Sequence, residues 1–101
     1  MNARFIYART AANDAACVNI ANIKTVEIDS DNSLHITFTK SDGGAGEIQF
    51  ALGTVDDATE KSVVLDVTRA IAGQNSAVIV LKDDVTGDGM SVLSSVDTIT
   101  T

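Results

Sequence analysis

This chain contains no proline and no tryptophan, only one cysteine, and four aromatic residues, Phe5, Tyr7, Phe38 and Phe50. Each shortage excludes something. Without proline, no turn is set by a locked ring and no rigid proline-rich linker exists. With so few aromatics, the core is built from Val, Ile and Leu. A lone Cys17 cannot close an internal disulfide, and it cannot assemble a thiolate zinc site, which takes several such ligands. Basic residues are also scarce: seven Lys and Arg stand against 14 Asp and Glu, a net charge of -7. That balance opposes binding to nucleic-acid backbones and to anionic membrane surfaces, both of which need a concentrated cationic face. The seven cations, Arg4, Arg9, Lys24, Lys40, Lys61, Arg69 and Lys82, are scattered along the chain.

No apolar run approaches the ~20 residues of a membrane-spanning helix. The opening MNARFIYART lacks the long apolar stretch of a signal peptide, so a cytoplasmic or particle-bound setting is expected. The acidic residues are dispersed, with pairs at Asp56-Asp57 and Asp83-Asp84, as on a solvated acidic surface. At 101 residues the chain has room for one domain with a modest core. A domain of that size could gain stability by pairing with copies of itself.

What is present is mostly strand pattern. Residues 4–10 read as a first strand, with Phe5 and Tyr7 on one face. AANDAA then connects to an extended region from Cys17 to Asp29. In it Val18 and Ile20 alternate, as do Val26 and Ile28, but Ile23 breaks the phase. An irregularity at Ala21-Asn22 would reconcile the two halves. SDNS at 30–33 is a turn signal. Leu34, Ile36 and Phe38 then oppose His35, Thr37 and Thr39, the cleanest half-buried strand in the chain. A glycine-rich loop at 40–46 leads to the alternation of Ile48, Phe50 and Leu52. These segments predict an antiparallel meander.

The period changes after Gly53. Asp57 and Glu60 have capping-box spacing, and Val63, Val64, Val67 and Ile71 form a helical stripe, predicting a helix over 57–72. Gly73 is placed to end it in a left-handed conformation. Ala77–Leu81, AVIVL, reads as a buried strand, and the last stretch, MSVLSSVDTITT, as another strand. The expected fold is a single α+β domain over 1–101, a mostly antiparallel sheet of about six strands with one amphipathic helix packed on it, in the order β-β-β-β-α-β-β.

Candidate chemistry is sparse. Asp84, Thr86, Asp88 and Gly89 occupy positions 1, 3, 5 and 6 of a calcium loop, but positions 9 and 12 fall on Val92 and Ser95, where a bidentate Glu belongs at the last. The stretch DDVTGDGMS therefore reads first as an acidic connection between strands, with positive φ at Gly87 or Gly89, and only secondarily as a weak calcium site. GGAG at 43–46 is followed by Glu47 and a strand rather than by Gly-Lys-Ser and a helix, so it is a hairpin tip and not a phosphate loop. His35, the one histidine, lies on the Thr-bearing face of its strand, facing solvent or a subunit contact. Cys17 reads as a small packed residue. Asp56, Asp57 and Glu60 read as helix-capping acids. No catalytic constellation, cofactor site or G-x-S-x-G nucleophile motif is present.

The segment Cys17-Val18-Asn19-Ile20-Ala21-Asn22-Ile23-Lys24-Thr25-Val26, the strand Leu34-His35-Ile36-Thr37-Phe38-Thr39, the single amphipathic helix and the closing strands together resemble the small, proline-poor, Ala/Val/Thr-rich proteins of marine tailed phages, especially those of cyanobacteria. The likeness covers most of the chain in style and element order. It implies a virion or assembly component, and it transfers no functional residues. The expectation is a non-enzymatic structural or assembly protein that forms homo-oligomers and meets other virion proteins. The alternative is a small ligand-binding or regulatory module of a marine microbe, using the loops at 40–46 and 83–90.

Overall fold

The computed structural model describes residues 4–29, 32–52, 57–73 and 78–100. The elements are β1 (Phe5–Ala11), β2 (Asp14–Asn19), β3 (Ile23–Asp29), β4 (Ser33–Thr39), β5 (Ala45–Ala51), α1 (Asp57–Gly73), β6 (Val78–Asp83) and β7 (Ser95–Thr100). The domain is α+β, as the patterning indicates. Ser30 and Asp31 of the turn signal, Gly53, Asp56, Ala77, and the side chains of Asp57 and Glu60 in the capping box lie outside the described residues.

The extended region expected over 17–29 is two strands, which raises the strand number among the described residues to seven. The phase break at Ile23 has a physical cause. A single 3₁₀ turn, Ile20–Asn22, interrupts the chain, with the Asn19 side chain accepting a hydrogen bond from the Ala21 amide at 2.9 Å. Asx-type capping of this kind competes with strand pairing. The turn carries the chain from one sheet to another. The strands therefore form two sheets rather than one: a three-stranded sheet in the order β2-β1-β6 and a four-stranded sheet in the order β3-β4-β5-β7.

All pairings in the four-stranded sheet are antiparallel. In the smaller sheet β1 pairs antiparallel with β2 but parallel with β6. The parallel pair is permitted because β6 arrives only after β2 to β5 and α1, far longer than the crossover a parallel pair needs. β7 packs beside β1 and β6 as well as pairing with β5, so it joins the two sheets at one corner.

The inner faces of both sheets feed one core. Ile6 and Ala8 of β1, Ile36 and Phe38 of β4, Ile48 and Phe50 of β5, and Ile79 and Leu81 of β6 are all buried in it. Val63 and Val67 of α1 join them, with Val64 and Ile71 packed at its margin. The helix lies against β3 and β6. It runs through Gly73, which does not take the left-handed conformation expected of it. Thr68 returns its hydroxyl to the Val64 carbonyl within the helix, and packing rather than propensity holds the β-branched stretch helical.

β6 corrects a second expectation. The run AVIVL is not buried on both faces: Ile79 and Leu81 point inward, whereas Val78 and Val80 are 45% and 39% exposed. Periodicity cannot distinguish a doubly buried strand from a half-buried one whose outer face is also apolar.

Candidate functional site

The stretch that resembled a calcium loop forms the connection after β6, and its anchor is the residue before the loop proper. Asp83 is buried, and its carboxylate receives a bidentate pair from Arg9, Nε at 2.8 Å and Nη2 at 2.7 Å. The Val85 amide donates to the same carboxylate at 2.9 Å and the Thr86 amide at 3.3 Å. The Arg9 hydrogen bonds hold the Asp83 carboxyl down at about 2, with burial opposing them and the loop amides adding to the effect. The same pairing raises Arg9. Paired guanidinium and carboxylate forks give both energy and fixed geometry. Here they tie the end of β1 to the end of β6, and the Asp84 amide adds a bond to the Arg9 carbonyl at 2.9 Å.

The three calcium-candidate residues each have a local partner. Asp84 accepts from the Val96 amide of β7 at 2.9 Å. The Thr86 hydroxyl donates to Asp88 at 2.9 Å. Among the described residues no three His, Cys, Asp or Glu side chains converge in a way that could hold a metal ion. Both expected glycines have positive φ, 82° at Gly87 and 124° at Gly89. At Gly89 a side chain is also sterically barred, because a Cβ would lie 2.4 Å from the Leu81 carbonyl oxygen where Gly89 bridges to Lys82.

The two sheets have unlike outer faces. On the four-stranded sheet the face is polar. The Thr25 and Thr37 hydroxyls pair at 2.5 Å, His35 Nδ1 lies 3.2 Å from Glu47, and Gln49 donates to Glu47 at 2.6 Å. His35 is thus half-buried in a hydrogen-bonded mat rather than a bare surface residue. On the three-stranded sheet the outer face is apolar in its middle, with Asn19 toward one end and the Arg9–Asp83 pair toward the other. Cross-strand register sets Phe5 beside Val78 and Tyr7 beside both Val80 and Cys17. Cys17, expected to be packed, is exposed, because β2 is an edge strand and 17 falls on its outer face. Partial desolvation still pushes its thiol up.

An open groove of about 340 Å³ runs along the edge of β2, walled by Ala15–Asn19 on one side and Phe38–Ser41 on the other, with Asn22 at its end. It exists because the 3₁₀ turn moves the chain between sheets at this corner and leaves β2 without a second neighbour. The tip at 40–44 closes tightly, with Lys40 bonded to the Gly44 carbonyl and Gly43 at a φ of 89°.

Sequence reasoning missed the Arg9–Asp83 pair, since 74 positions separate the two residues and no local pattern links them. It also missed Arg4, whose Nη1 donates to the Ala72 carbonyl at the C-terminal end of α1. Arg4 Nε and Nη2 are buried there without partners among the described residues. A cation at a helix C-terminus is favoured by the aligned peptide dipoles.

Compared with known proteins, the chain matches no family model, no curated sequence and no solved structure. No helix among the described residues is long and apolar enough to cross a membrane.

Proposed function

We propose that this chain is a non-enzymatic structural module that assembles with copies of itself, and that its setting is a phage particle. The observation that carries the reading is the outer face of the three-stranded sheet. Val78 and Val80 are well exposed there beside Phe5, Tyr7 and the exposed Cys17. Isolated exposed apolar residues are ordinary, but a contiguous apolar sheet face is the kind of surface that associates. The polar mat on the other sheet supplies the contrast: threonines and carboxylates run along that outer face, whereas here the polar groups, Asn19 and the Arg9–Asp83 pair, lie toward the ends. The virion setting is supported by the resemblance of Cys17–Val26 and Leu34–Thr39 to small tailed-phage proteins.

Sedimentation equilibrium of the purified chain at high micromolar concentration tests self-association. A reversible oligomer that Val80→Glu weakens is expected. A strict monomer across the concentration range refutes the reading.

The groove beside β2 favours a second reading, a ligand-binding module. Its lining combines apolar Ala16, Val18 and Phe38 with polar Asn22 and Lys40. A thermal-shift screen of small molecules against the Val80→Glu variant distinguishes the two. A saturable stabilisation lost in Lys40→Ala supports the groove.

A further inference from the structure

We infer that two copies of this chain join edge to edge through β2, antiparallel about a two-fold axis at Cys17. The inference rests on the self-association reading and adds a second contact to the apolar outer face, the strand edge.

The backbone of β2 supplies the first part of the argument. The Ile20 amide donates to the Arg4 carbonyl at 3.0 Å, and Val18 and Ala16 are aligned with Ile6 and Ala8 of β1. In an antiparallel ladder, alternate residues point their backbone groups to one neighbour and the rest to the other. Ile20, Val18 and Ala16 therefore turn toward β1, and Ala15, Cys17 and Asn19 turn their N–H and C=O groups outward. Those outward groups face the open groove, where no described strand pairs with them. A strand edge of this kind is a template for another strand.

Comparison of the four edge strands supplies the second part. Proteins protect open edges with charge, bulges or a covering element. β3 carries exposed Lys24 and Glu27, has an irregular register between Ile23 and Thr25, and is approached by α1. β6 ends in Lys82-Asp83 and is partly occupied by the bridge to Gly89. β7 carries exposed Asp97, and its pairing with β5 shifts register. β2 begins at exposed Asp14, shifts register against β1 there and has Phe38–Ser41 across the groove, but among the described edge strands it presents the longest uncharged stretch, Ala15-Ala16-Cys17-Val18-Asn19.

Charge then limits where a second copy can dock. Two copies each at -7 repel wherever their carboxylates meet, so association requires a surface without them. With the two-fold at Cys17, Ala15 meets Asn19 of the partner copy and Cys17 meets its own counterpart, each pair exchanging two backbone bonds. Asp14, the one acid of β2, falls opposite Ile20 and not opposite another acid. A second copy fits this run by symmetry. The product is one continuous sheet in the order β6-β1-β2-β2-β1-β6, with the apolar faces of both copies side by side.

The test is site-specific. Hydrogen-bonded antiparallel partners have Cα atoms about 5.5 Å apart, so a short bismaleimide should join the two Cys17 thiols of the native dimer in high yield. Cys17→Lys, which sets two ammonium groups on the axis, should weaken the dimer by roughly tenfold or more, or ~1.4 kcal/mol. Ala15→Pro removes an outward N–H without touching the β1 ladder and should do the same. Circular dichroism verifies that each variant is folded. Loss of the oligomer in either folded variant, with cross-linking of the wild type, supports the inference. An oligomer that persists in both variants and does not cross-link through Cys17 overturns the β2 interface but leaves self-association standing. A wild-type chain that is monomeric at high micromolar concentration overturns both.

Discussion

Gly46 sits opposite Phe38 across β4 and β5, and the two positions make a direct test of how the core is packed. A Cβ on residue 46 would lie 2.3 Å and 2.4 Å from Phe38 Cε2 and Cζ, and 2.9 Å from the Thr100 carbonyl oxygen. Ordinary carbon contacts are about 3.5–4.0 Å, so the ring of Phe38 must move by more than an ångström. Phe38 is only 4% exposed, with the groove it helps to line on one side. Overpacking of this kind costs about 1–3 kcal/mol. Replacing a strand glycine returns about 0.5–1 kcal/mol through reduced chain entropy. The net expectation for Gly46→Ala is a loss of up to about 2.5 kcal/mol, a fall in Tm of up to roughly 15–20 °C for a domain this small. Phe38→Leu alone should cost about 1–2 kcal/mol through lost burial. Leucine has no atoms beyond Cδ, so it removes the two nearest of the three colliding atoms and leaves the Thr100 carbonyl oxygen. Gly46→Ala introduced into the Phe38→Leu background should therefore cost much less than in wild type, and the double-mutant cycle should show a coupling of about 1–2 kcal/mol. Urea denaturation followed by circular dichroism measures all four proteins. Single-mutant effects that simply add would refute the packing argument.

The Arg9–Asp83 clamp makes stability depend on acid. Its folded carboxyl titrates at about 2 against 3.8 for a free aspartate, so its contribution is complete above pH ~4 and lost as pH falls through ~2. Wild type should lose stability across that window more steeply than Asp83→Asn, as denaturation midpoints at several pH values will show. Gly89→Ala combines a φ of 124° with a collision against the Leu81 carbonyl. It should cost about 1–3 kcal/mol in strain, read as a lowered denaturation midpoint. Asp84→Ala removes the acceptor for the Val96 amide and should destabilise by about 1 kcal/mol, with faster hydrogen exchange at the start of β7. Millimolar calcium should leave the melting temperature unchanged, since Asp84, Thr86 and Asp88 have protein partners; a saturable rise in Tm would revive the metal reading.

Most elements were legible because their determinants are local. The alternation of Leu34, Ile36 and Phe38 against His35, Thr37 and Thr39 could only be a half-buried strand, and the Val63–Ile71 stripe could only be a helix leaning on something apolar. Even the phase break at Ile23 pointed to the 3₁₀ turn. The glycines of DDVTGDGMS announced their positive φ because left-handed backbone is a property of single residues. The same stretch misled as a metal motif, since spacing along the chain does not show which amide or hydroxyl will reach each carboxylate first. Gly46 was read as part of a flexible tip, although its real constraint is a ring eight positions away on the neighbouring strand.

The sequence by itself determined the strands, the helix, the aliphatic core and the acidic surface, because backbone conformation and amphipathic period are set by near neighbours. Only the tertiary structure decided that the strands divide into two sheets, that β1 and β6 run parallel, that Arg9 meets Asp83, and that Cys17 lies open on an uncharged edge. Those outcomes depend on which distant segments share one core. Hydrophobic burial carries no address: an apolar face specifies that it must be covered, not by which strand, and for Val78 and Val80 the fold left it uncovered.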